Sequence, residues 1–269
     1  MQKDALLACD MDGTVIPLEI GAERDQEIRE FHRLLAKHRN IVLAYVTGRH
    51  LELGLAGVEQ DRLPMPDIFV CDVGTSIHLR SSGNWVVDEG YRHELLRCWK
   101  GRTNVEIGMM LTTVPDLSAQ EEEKQGEFKR SYYASRDRDH REIIRLIHDC
   151  LDSKGVEAKV IYSVDAKKNI GLVDVLPECA AKDAALAYLW EKYGLERDKI
   201  VYAGDSGNDL LAFVSGFNAI VVNNTPVAVK EEVRRQMREK GIKERIFFAP
   251  SNYVKGVVEG CFHFCMFRQ

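Results

Sequence analysis

Short apolar runs alternate with amphipathic segments along much of the chain. The runs are rich in Val, Ile and Leu and contain few polar residues, which is typical of strands buried on both faces of a parallel sheet. The intervening residues 25–38 and 182–194 place their apolar side chains on one helical stripe. This order predicts an α/β fold with a doubly wound, Rossmann-like parallel sheet. The five predicted strands are ALLAC, IVLAYV, DIFVC, KIVYA and NAIVV.

The middle of the chain has a different pattern. Between about residues 81 and 177 the strand candidates alternate between apolar and polar residues, and one amphipathic helix is predicted near residues 140–155. This is the α+β pattern of a half-exposed sheet. We therefore predict a cap domain at 81–177, inserted into a discontinuous core domain formed by residues 1–80 and 178–269. The polar string SAQEEEKQGE within the cap is predicted to be an exposed loop.

The composition disfavours some classes of partner and location. The chain has 269 residues and a formal net charge of −5, which gives no general attraction for nucleic acid or an anionic membrane. We also expect neither a signal peptide nor a membrane span, because no apolar run is long enough. Seven cysteines without a CxxC pair indicate a reducing compartment, so we predict a cytoplasmic protein. If the C-terminal string CFHFC is interpreted as a strand, Cys261, His263 and Cys265 share one face, but no fourth metal ligand is evident. The nearby phenylalanines favour packing over metal binding.

Polar residues follow three of the predicted strands at the point where each strand ends. Since the carboxyl ends of parallel strands lie along one edge of a sheet, these side chains should meet in one crevice. Each motif alone commonly marks a turn, and only their joint order is specific. The motifs are DMDGT, TGR and GDSGND, and they contribute Asp10, Asp12, Thr47, Gly48, Asp205, Asn208 and Asp209.

Four carboxylates in one crevice require a cation, because like charges at close range drive protonation. Oxygen ligands without a neighbouring His or Cys favour Mg²⁺, which commonly faces a phosphate. Lys182, at the predicted start of a helix, would add a positive charge and free N–H groups for that phosphate. This constellation predicts phosphoryl transfer, with one aspartate as nucleophile and a second handling the proton.

The ordered motifs, with Lys182 between the second and the third, resemble those of the haloacid dehalogenase-like (HAD-like) phosphatases. The resemblance implies that Asp10 forms an aspartyl phosphate and that Asp12 acts as general acid and base. It also implies an α+β cap between Thr47 and Lys182. The implied Mg²⁺ ligands are Asp10, Asp12, Asp205 and Asp209, and the implied phosphate-binding residues are Thr47, Gly48, Lys182 and Asn208.

A finer resemblance is to the sucrose-phosphate phosphatase branch. It is carried by DVLPECAAKDAALAYL, CDVGTSI, GDSGNDLLAF and the cap segment QEEEKQGEFKRSYY. It implies a sugar-phosphate substrate, first of all sucrose 6-phosphate, and a cap that binds the sugar. Arg49 at the crevice rim either contacts the substrate or forms a structural salt bridge. The implied sugar-binding residues of the cap are Gln120, Gln125, Lys129 and Ser131.

Several positions depart from that branch and leave alternatives open. Ser76, Lys124 and Asp183 replace residues that are usual there, so the identity of the sugar stays undecided. A phosphatase for mannosylfructose phosphate or another glycoside phosphate is one alternative, and a phosphomutase of the same superfamily is another. A binding protein without chemistry is disfavoured, since Asp10 and Asp12 are both present. The synthase that makes the sugar phosphate is a predicted partner.

Overall fold

The computed structural model describes residues 4–19, 23–165 and 168–268. Its strands are β1 (Ala5–Cys9), β2 (Ile41–Val46), β3 (Ile68–Cys71), β4 (Ser76–Ser81), β5 (Asn84–Val87), β6 (Leu117–Ala119), β7 (Arg130–Ala134), β8 (Ala158–Asp165), β9 (Ile170–Pro177), β10 (Ile200–Gly204), β11 (Asn218–Val221) and β12 (Ile246–Phe248). Its α-helices are α1 (Arg24–Lys37), α2 (Leu51–Gln60), α3 (Glu89–Cys98), α4 (Asn104–Met110), α5 (His140–Asp152), α6 (Lys182–Tyr193), α7 (Leu210–Phe213), α8 (Val227–Lys240) and α9 (Tyr253–His263).

The larger of two sheets has the strand order β12-β11-β10-β1-β2-β3-β4-β5. From β12 to β3 all neighbours are parallel. The chain leaves β1 toward β2 and β3 on one side and later returns to β10 and β11 on the other, so the strand order reverses beside β1. Ligands of open α/β sheets bind at such a reversal, outside the carboxyl ends of the strands. The residues that follow β1 and β10 therefore flank the expected site.

Helices cover both faces of this sheet. Side chains alternate along β1, so Leu6 and Ala8 belong to one hydrophobic core while Leu7 and Cys9 belong to the other. Helices α1, α2 and α9 pack on the Leu7 side, and helices α3, α6, α7 and α8 pack on the Leu6 side. This arrangement confirms the predicted doubly wound α/β core.

The hairpin of β4 and β5 extends the larger sheet. β4 pairs antiparallel with β3, and β5 pairs antiparallel with β4. This pairing places residues 84–87 in the larger sheet, although they follow the predicted start of the cap at residue 81. Trp85 of β5 also packs edge-on against Phe69 of β3, with 5.0 Å between ring centroids.

The smaller sheet belongs to the predicted α+β cap. Its order is β6-β7-β9-β8, and every neighbouring pair is antiparallel. Helix α5 buries Ile143, Ile147 and Leu151, which recur at helical spacing. The polar string at residues 118–127 begins within the edge strand β6 and continues through a 3-10 turn at Glu122–Lys124.

The C-terminal string CFHFC begins on helix α9, so its interpretation as a strand is wrong. Val254, Val257 and Cys261 recur at i, i+3 and i+7 and are buried in the Leu7-side core. This helical spacing, which starts upstream of the string, outweighs the local preference of the phenylalanines for strands. In the described part of the chain, no helix is both long and apolar enough to cross a membrane.

Candidate active site

Lys182 is a buried cation at the first residue of α6. Its ammonium donates hydrogen bonds to Asp10 at 2.7 Å, to Asp209 at 2.6 Å and to the side-chain oxygen of Asn208 at 3.0 Å. Burial alone lowers the pKa of Lys182, but the charges of Asp10 and Asp209 outweigh that effect and raise it above its usual value. Lys182 therefore stays charged and neutralises part of the acidic cluster around it.

The backbone just before Lys182 is strained and closely packed. Ala181 has a φ of 126°, a conformation that residues with a side chain rarely adopt. The loop after β3 lies against it, since a β-carbon on Gly74 would be 2.4 Å from the carbonyl carbon of Ala181. Gly74 has a φ of +94°, which also favours glycine. This close contact holds the start of α6 at the edge of the sheet.

Asp10, Asp205 and Asp209 meet at the carboxyl ends of β1 and β10. Each offers a carboxylate oxygen, and these three atoms lie within 4.8 Å of one another. Burial raises the pKa of Asp10 well above its usual range; Lys182 opposes that rise, and Asp209 and Asp205 add to it. Burial and the charge of Asp209 raise the pKa of Asp205 to about 7. Three carboxylates and one ammonium thus leave excess negative charge in a buried site.

Asp209 is held by donors on both carboxylate oxygens. Oδ1 accepts from Lys182 and from the hydroxyl of Tyr202. Oδ2 accepts from the backbone N–H groups of Asp205 and Ser206 and from the Ser206 hydroxyl. Asp209 therefore orients its neighbours and has little capacity left for a further ligand. No sequence argument identified Tyr202, although a hydroxyl inside the buried strand KIVYA was the available signal.

Asp205 has more room for a ligand than Asp209. Its Oδ1 accepts a hydrogen bond from the hydroxyl of Thr14 at 3.1 Å. Gly13 lies directly against it, since a β-carbon there would be 2.3 Å from Oδ2 of Asp205. Asn224 donates to the carbonyl of Gly13 at 2.7 Å and holds this turn. The glycine of the DMDGT motif thus makes space for the carboxylate, and Thr14 is a site residue that the sequence prediction omitted.

The donor set fits a hard divalent cation such as Mg²⁺. The cluster consists of carboxylate oxygens, which Mg²⁺ prefers. Its three carboxylates exceed the single charge of Lys182 by two units. A bound dication would favour the ionised forms of Asp10 and Asp205, whose pKa values are raised in its absence. We therefore expect Asp10 and Asp205 to hold the metal, with Asp209 supporting them.

The substitution Asp205→Asn should stabilise the metal-free protein at alkaline pH. The raised pKa means that native Asp205 keeps a proton that the unfolded chain loses between about pH 4 and pH 7, so stability falls as pH rises through that window. The neutral amide removes this penalty, which is on the order of 1–4 kcal/mol. Thermal unfolding in EDTA measures the gain, with Asp149→Asn on the exposed face of α5 as the control. If the stability gained by Asp205→Asn did not shrink as the pH falls toward about pH 4, the raised pKa of Asp205 could not be its cause.

Asp12 does not join the buried cluster. Its side chain is 46% exposed and accepts from Nε of Arg49 at 2.8 Å and from Nη2 at 2.5 Å. Arg49 was expected either to contact the substrate or to form a salt bridge, and in the structure it forms a salt bridge with Asp12. The carboxylate of Asp12 is therefore not placed with the other predicted Mg²⁺ ligands. Asp12 and Arg49 both line the cleft beside Asp10, where a substrate would lie.

Of the other predicted phosphate-binding residues, Asn208 accepts from the ammonium of Lys182, whereas Thr47 and Gly48 lie in the turn after β2. Thr47 is fully buried, and its hydroxyl oxygen accepts from the backbone N–H of Arg49 at 3.2 Å. Gly48 and Asn208 both line the cleft. The structure thus places Gly48 and Asn208 at the surface of the site and Thr47 beneath it.

A cleft of about 380 Å³ separates the core from the cap. Asp10 and Asp12 of the core line one side, and residues of β7, β8 and β9 line the other. Its volume lies within the range of sites that enclose small ligands. The cap wall mixes polar side chains with Val164 and Leu172, which suits a ligand with both hydroxyl groups and apolar ring faces.

Lys129 reaches from the cap to the core. It is 4% exposed, and its ammonium pairs with Asp72 at 2.9 Å and donates to the carbonyl of Gly48 at 3.2 Å. It also lines the cleft. Asp72 follows β3 and was not among the predicted site residues. Lys129 therefore links the predicted sugar-binding segment to the turn that carries Gly48.

The other predicted sugar-binding residues occupy different places in the cap. Gln120 and Ser131 line the cleft, and the Ser131 hydroxyl donates to Asp174 at 2.5 Å. Gln125 is not one of the described residues that line the cleft. Its amide bonds the carbonyl of Gln120 and both backbone groups of Ser131, so Gln125 braces the segment.

Asp174 is a cleft residue that the sequence prediction missed. Burial raises its pKa, which the charge of Lys129 and the hydrogen bond from Ser131 partly offset. It sits on β9, within the string NIGLVDVL, where it is the one charged residue in an apolar strand. That isolation was the available signal, because a carboxylate in a buried strand needs partners.

The chain is similar in sequence to a known protein family and in fold to solved structures. The model of the sucrose-6F-phosphate phosphohydrolase family matches residues 3–265. A protein of Nitrosococcus oceani described as a HAD-like hydrolase is 34% identical, over 98% of this chain and 72% of that protein. Mannosylfructose-phosphate phosphatase of Agrobacterium fabrum is 29% identical, over 96% of each chain. The structure of a Synechocystis sucrose-phosphatase in complex with sucrose and phosphate has the same fold, with a TM-score of 0.81 at 24% identity, over 98% of this chain and 99% of that one.

Proposed function

Because the chain belongs to the family of sucrose-6F-phosphate phosphohydrolases, we propose that it hydrolyses a sugar phosphate, with sucrose 6-phosphate as the leading candidate. The products are the free sugar and inorganic phosphate. Mg²⁺ is the proposed cofactor. A cytoplasmic location and association with the synthase that makes the substrate stay predictions from the sequence.

One observation carries the proposal. Asp10 lies in the wall of the cleft with one oxygen bonded to the buried ammonium of Lys182 at 2.7 Å. A carboxylate next to a fixed cation is suited to approach a phosphorus atom whose oxygens that cation attracts. The opposite wall of the same cleft is a cap surface with hydroxyl, amide and carboxylate groups, which are the partners that sugar hydroxyls require.

The proposed reaction is a double displacement at phosphorus. The free oxygen of Asp10 attacks phosphorus, and the bond from phosphorus to the sugar oxygen breaks. Asp12 donates a proton to that oxygen and then takes one from the water that releases phosphate from Asp10. Lys182 stabilises the charge on the phosphoryl oxygens throughout. Asp10 and Asp205 would hold Mg²⁺, which would supply further positive charge to the same oxygens.

Asp12 has to leave Arg49 for this chemistry. In the structure both oxygens of Asp12 accept from the guanidinium of Arg49. A phosphate ester in the cleft offers Arg49 an alternative bidentate partner. The salt bridge therefore holds Asp12 beside the reacting position until the substrate arrives. Under this proposal Arg49 is first a salt-bridge partner of Asp12 and then a contact of the substrate phosphate.

A second candidate substrate is mannosylfructose phosphate. It is favoured by the similarity to the Agrobacterium enzyme of that name, which extends over nearly all of both chains. Both candidates are disaccharide phosphates, so the core chemistry would be the same. The difference would come from cap contacts.

A phosphate-release screen tests the proposed function. The purified protein with Mg²⁺ is given sucrose 6-phosphate, mannosylfructose phosphate and several hexose phosphates, and kcat/KM is measured for each. We expect one disaccharide phosphate to be preferred over every hexose phosphate. An isomerised sugar phosphate without free phosphate would identify a phosphomutase, and preference for a hexose phosphate would overturn the disaccharide assignment.

Lys129→Ala should reduce kcat/KM on the best disaccharide phosphate by at least about tenfold, the effect of ~1.4 kcal/mol of lost transition-state binding. The reason is that Lys129 is a buried cation in the cleft wall, and its removal leaves sugar hydroxyls in the cleft without a hydrogen-bond donor. Hydrolysis of p-nitrophenyl phosphate should change far less, because that ester offers no sugar hydroxyls.

The matched control is Lys154→Ala, which removes an exposed cap lysine that donates to the carbonyl of Met110 and does not line the cleft. It should leave both activities unchanged. Equal losses on both substrates in Lys129→Ala would show that Lys129 acts through the turn at Gly48 and not through the sugar.

A further inference from the structure

Cys98 and Cys179 are neighbours in space although they are 81 positions apart in sequence. The backbone N–H of Cys179 donates to Sγ of Cys98 at 3.1 Å, so the Cys98 sulfur lies against the backbone of Cys179. Both cysteines are free, with Cys179 exposed and Cys98 partly exposed. No CxxC motif signals this pair, because only the fold brings the two residues together.

The pair lies where the chain passes between core and cap. Cys98 is the last residue of α3, and residues 99–103 lead from there into the cap helix α4. Cys179 lies in residues 178–181, which lead from cap strand β9 back to α6. The two connections therefore run side by side at this point.

Helix α3 is anchored to the core at its other end. Its N-cap residue Asp88 pairs with Lys192 of α6 at 2.9 Å and accepts from Tyr188 of α6 at 2.8 Å. Tyr91 donates to the carbonyl of Gly74 at 2.7 Å. A bond from Cys98 to Cys179 would thus attach the returning connection to a helix whose N-terminal end is bonded to the core.

The returning connection is also the segment that carries backbone strain. Ala181 has a φ of 126° and is followed directly by Lys182. Strained residues of this kind persist at hinges and functional sites because the surroundings hold them. Any rotation of the cap relative to the core has to be absorbed in residues 99–103 and 178–181, since the described sheets on either side are hydrogen-bonded bodies.

We propose that Cys98 and Cys179 form a reversible disulfide that restrains the cap and slows turnover. The oxidant is a low-molecular-weight disulfide. The Cys179 thiolate attacks one sulfur of that disulfide and releases one thiolate, and a mixed disulfide forms. The Cys98 thiolate then attacks the Cys179 sulfur and releases the second thiolate. The two protein thiols are oxidised, the small disulfide is reduced to two thiols, and both protein protons go to solvent or to the released thiolates.

Restraint of the cap should slow catalysis because substrate entry and product release need the cleft to open. The inference concerns the hinge and does not depend on which phosphate ester is the substrate. Partial desolvation and the neighbouring Cys98 thiol raise the pKa of Cys179 to about 12. The exchange should therefore run faster at mildly alkaline pH than at neutral pH.

The test is incubation of the protein with oxidised glutathione at mildly alkaline pH. Peptide mass spectrometry then detects a peptide that links Cys98 to Cys179, hydrogen exchange measures protection of residues 178–181, and p-nitrophenyl phosphate turnover is followed in parallel. We expect the linked peptide, increased protection and a fall in turnover of about tenfold that dithiothreitol reverses.

Matched variants identify the residues responsible. Cys98→Ser and Cys179→Ser should keep their turnover under the same treatment, whereas Cys265→Ser, which removes another exposed thiol, should lose it as the wild type does. Glutathione attached to Cys179 without a linked peptide would overturn the disulfide. A linked peptide with unchanged hydrogen exchange would overturn the restraint, and this result is independent of any failure of the proposed phosphatase activity.

Discussion

Asp10→Asn is expected to abolish phosphatase turnover, with a loss of roughly 10⁴-fold or more, as for the removal of other covalent nucleophiles. The amide keeps the shape of the carboxylate but cannot attack phosphorus. Its side-chain oxygen can still accept from Lys182, which also retains Asp209 and Asn208 as partners. The variant should therefore fold, and circular dichroism and thermal unfolding can establish that it does.

The control for Asp10→Asn is the same change at Asp149, an exposed residue of α5 paired with Arg145. It should have wild-type kinetics. Turnover within a factor of about ten of the wild type in a folded Asp10→Asn protein would exclude the aspartyl-phosphate route, because general acid–base groups alone would then suffice.

Removal of divalent cations is expected to have the second-largest effect. EDTA should silence the enzyme and Mg²⁺ should restore it, because burial, together with the neighbouring carboxylates, otherwise keeps the pKa values of Asp10 and Asp205 raised. Ca²⁺ should restore activity poorly, since it prefers longer bonds and more ligands than Mg²⁺.

The effect of the metal can be assigned to the cluster with one variant. Asp205→Asn should require much more Mg²⁺ for half-maximal activity than the wild type, while Asp149→Asn should not. Full wild-type activity in excess chelator, or an unchanged Mg²⁺ requirement in Asp205→Asn, would contradict the assignment of the metal to this site.

The fold and the meeting of the acidic residues could be predicted because both depend on chain topology. Unbroken apolar runs separated by amphipathic helices specify a parallel sheet, and its carboxyl edge then collects whatever follows the strands. Asp10, Asp205 and Lys182 come together for this reason, although they are far apart in sequence. Their catalytic roles remain predictions.

Other features depend on side-chain direction, which strand order does not determine. Asp12 follows β1 as Asp10 does, yet it turns to Arg49 instead of the cluster. Gln125 belongs to the expected sugar-binding segment, yet its amide is used within the backbone of that segment. Asp174 stands out in the sequence of β9, but the strand pattern does not show that its side chain lines the cleft.

The central claim is that Asp10 carries the phosphoryl group during hydrolysis of a sugar phosphate, and rapid acid quenching tests it most directly. The enzyme is mixed with Mg²⁺ and the best disaccharide phosphate, quenched in acid during turnover, and digested for mass spectrometry. We predict a phosphoryl group on the peptide that contains Asp10, removed by hydroxylamine and absent from Asp10→Asn. Continuing phosphate release with no phosphoryl group on that peptide, or with the group on another residue, would contradict the account.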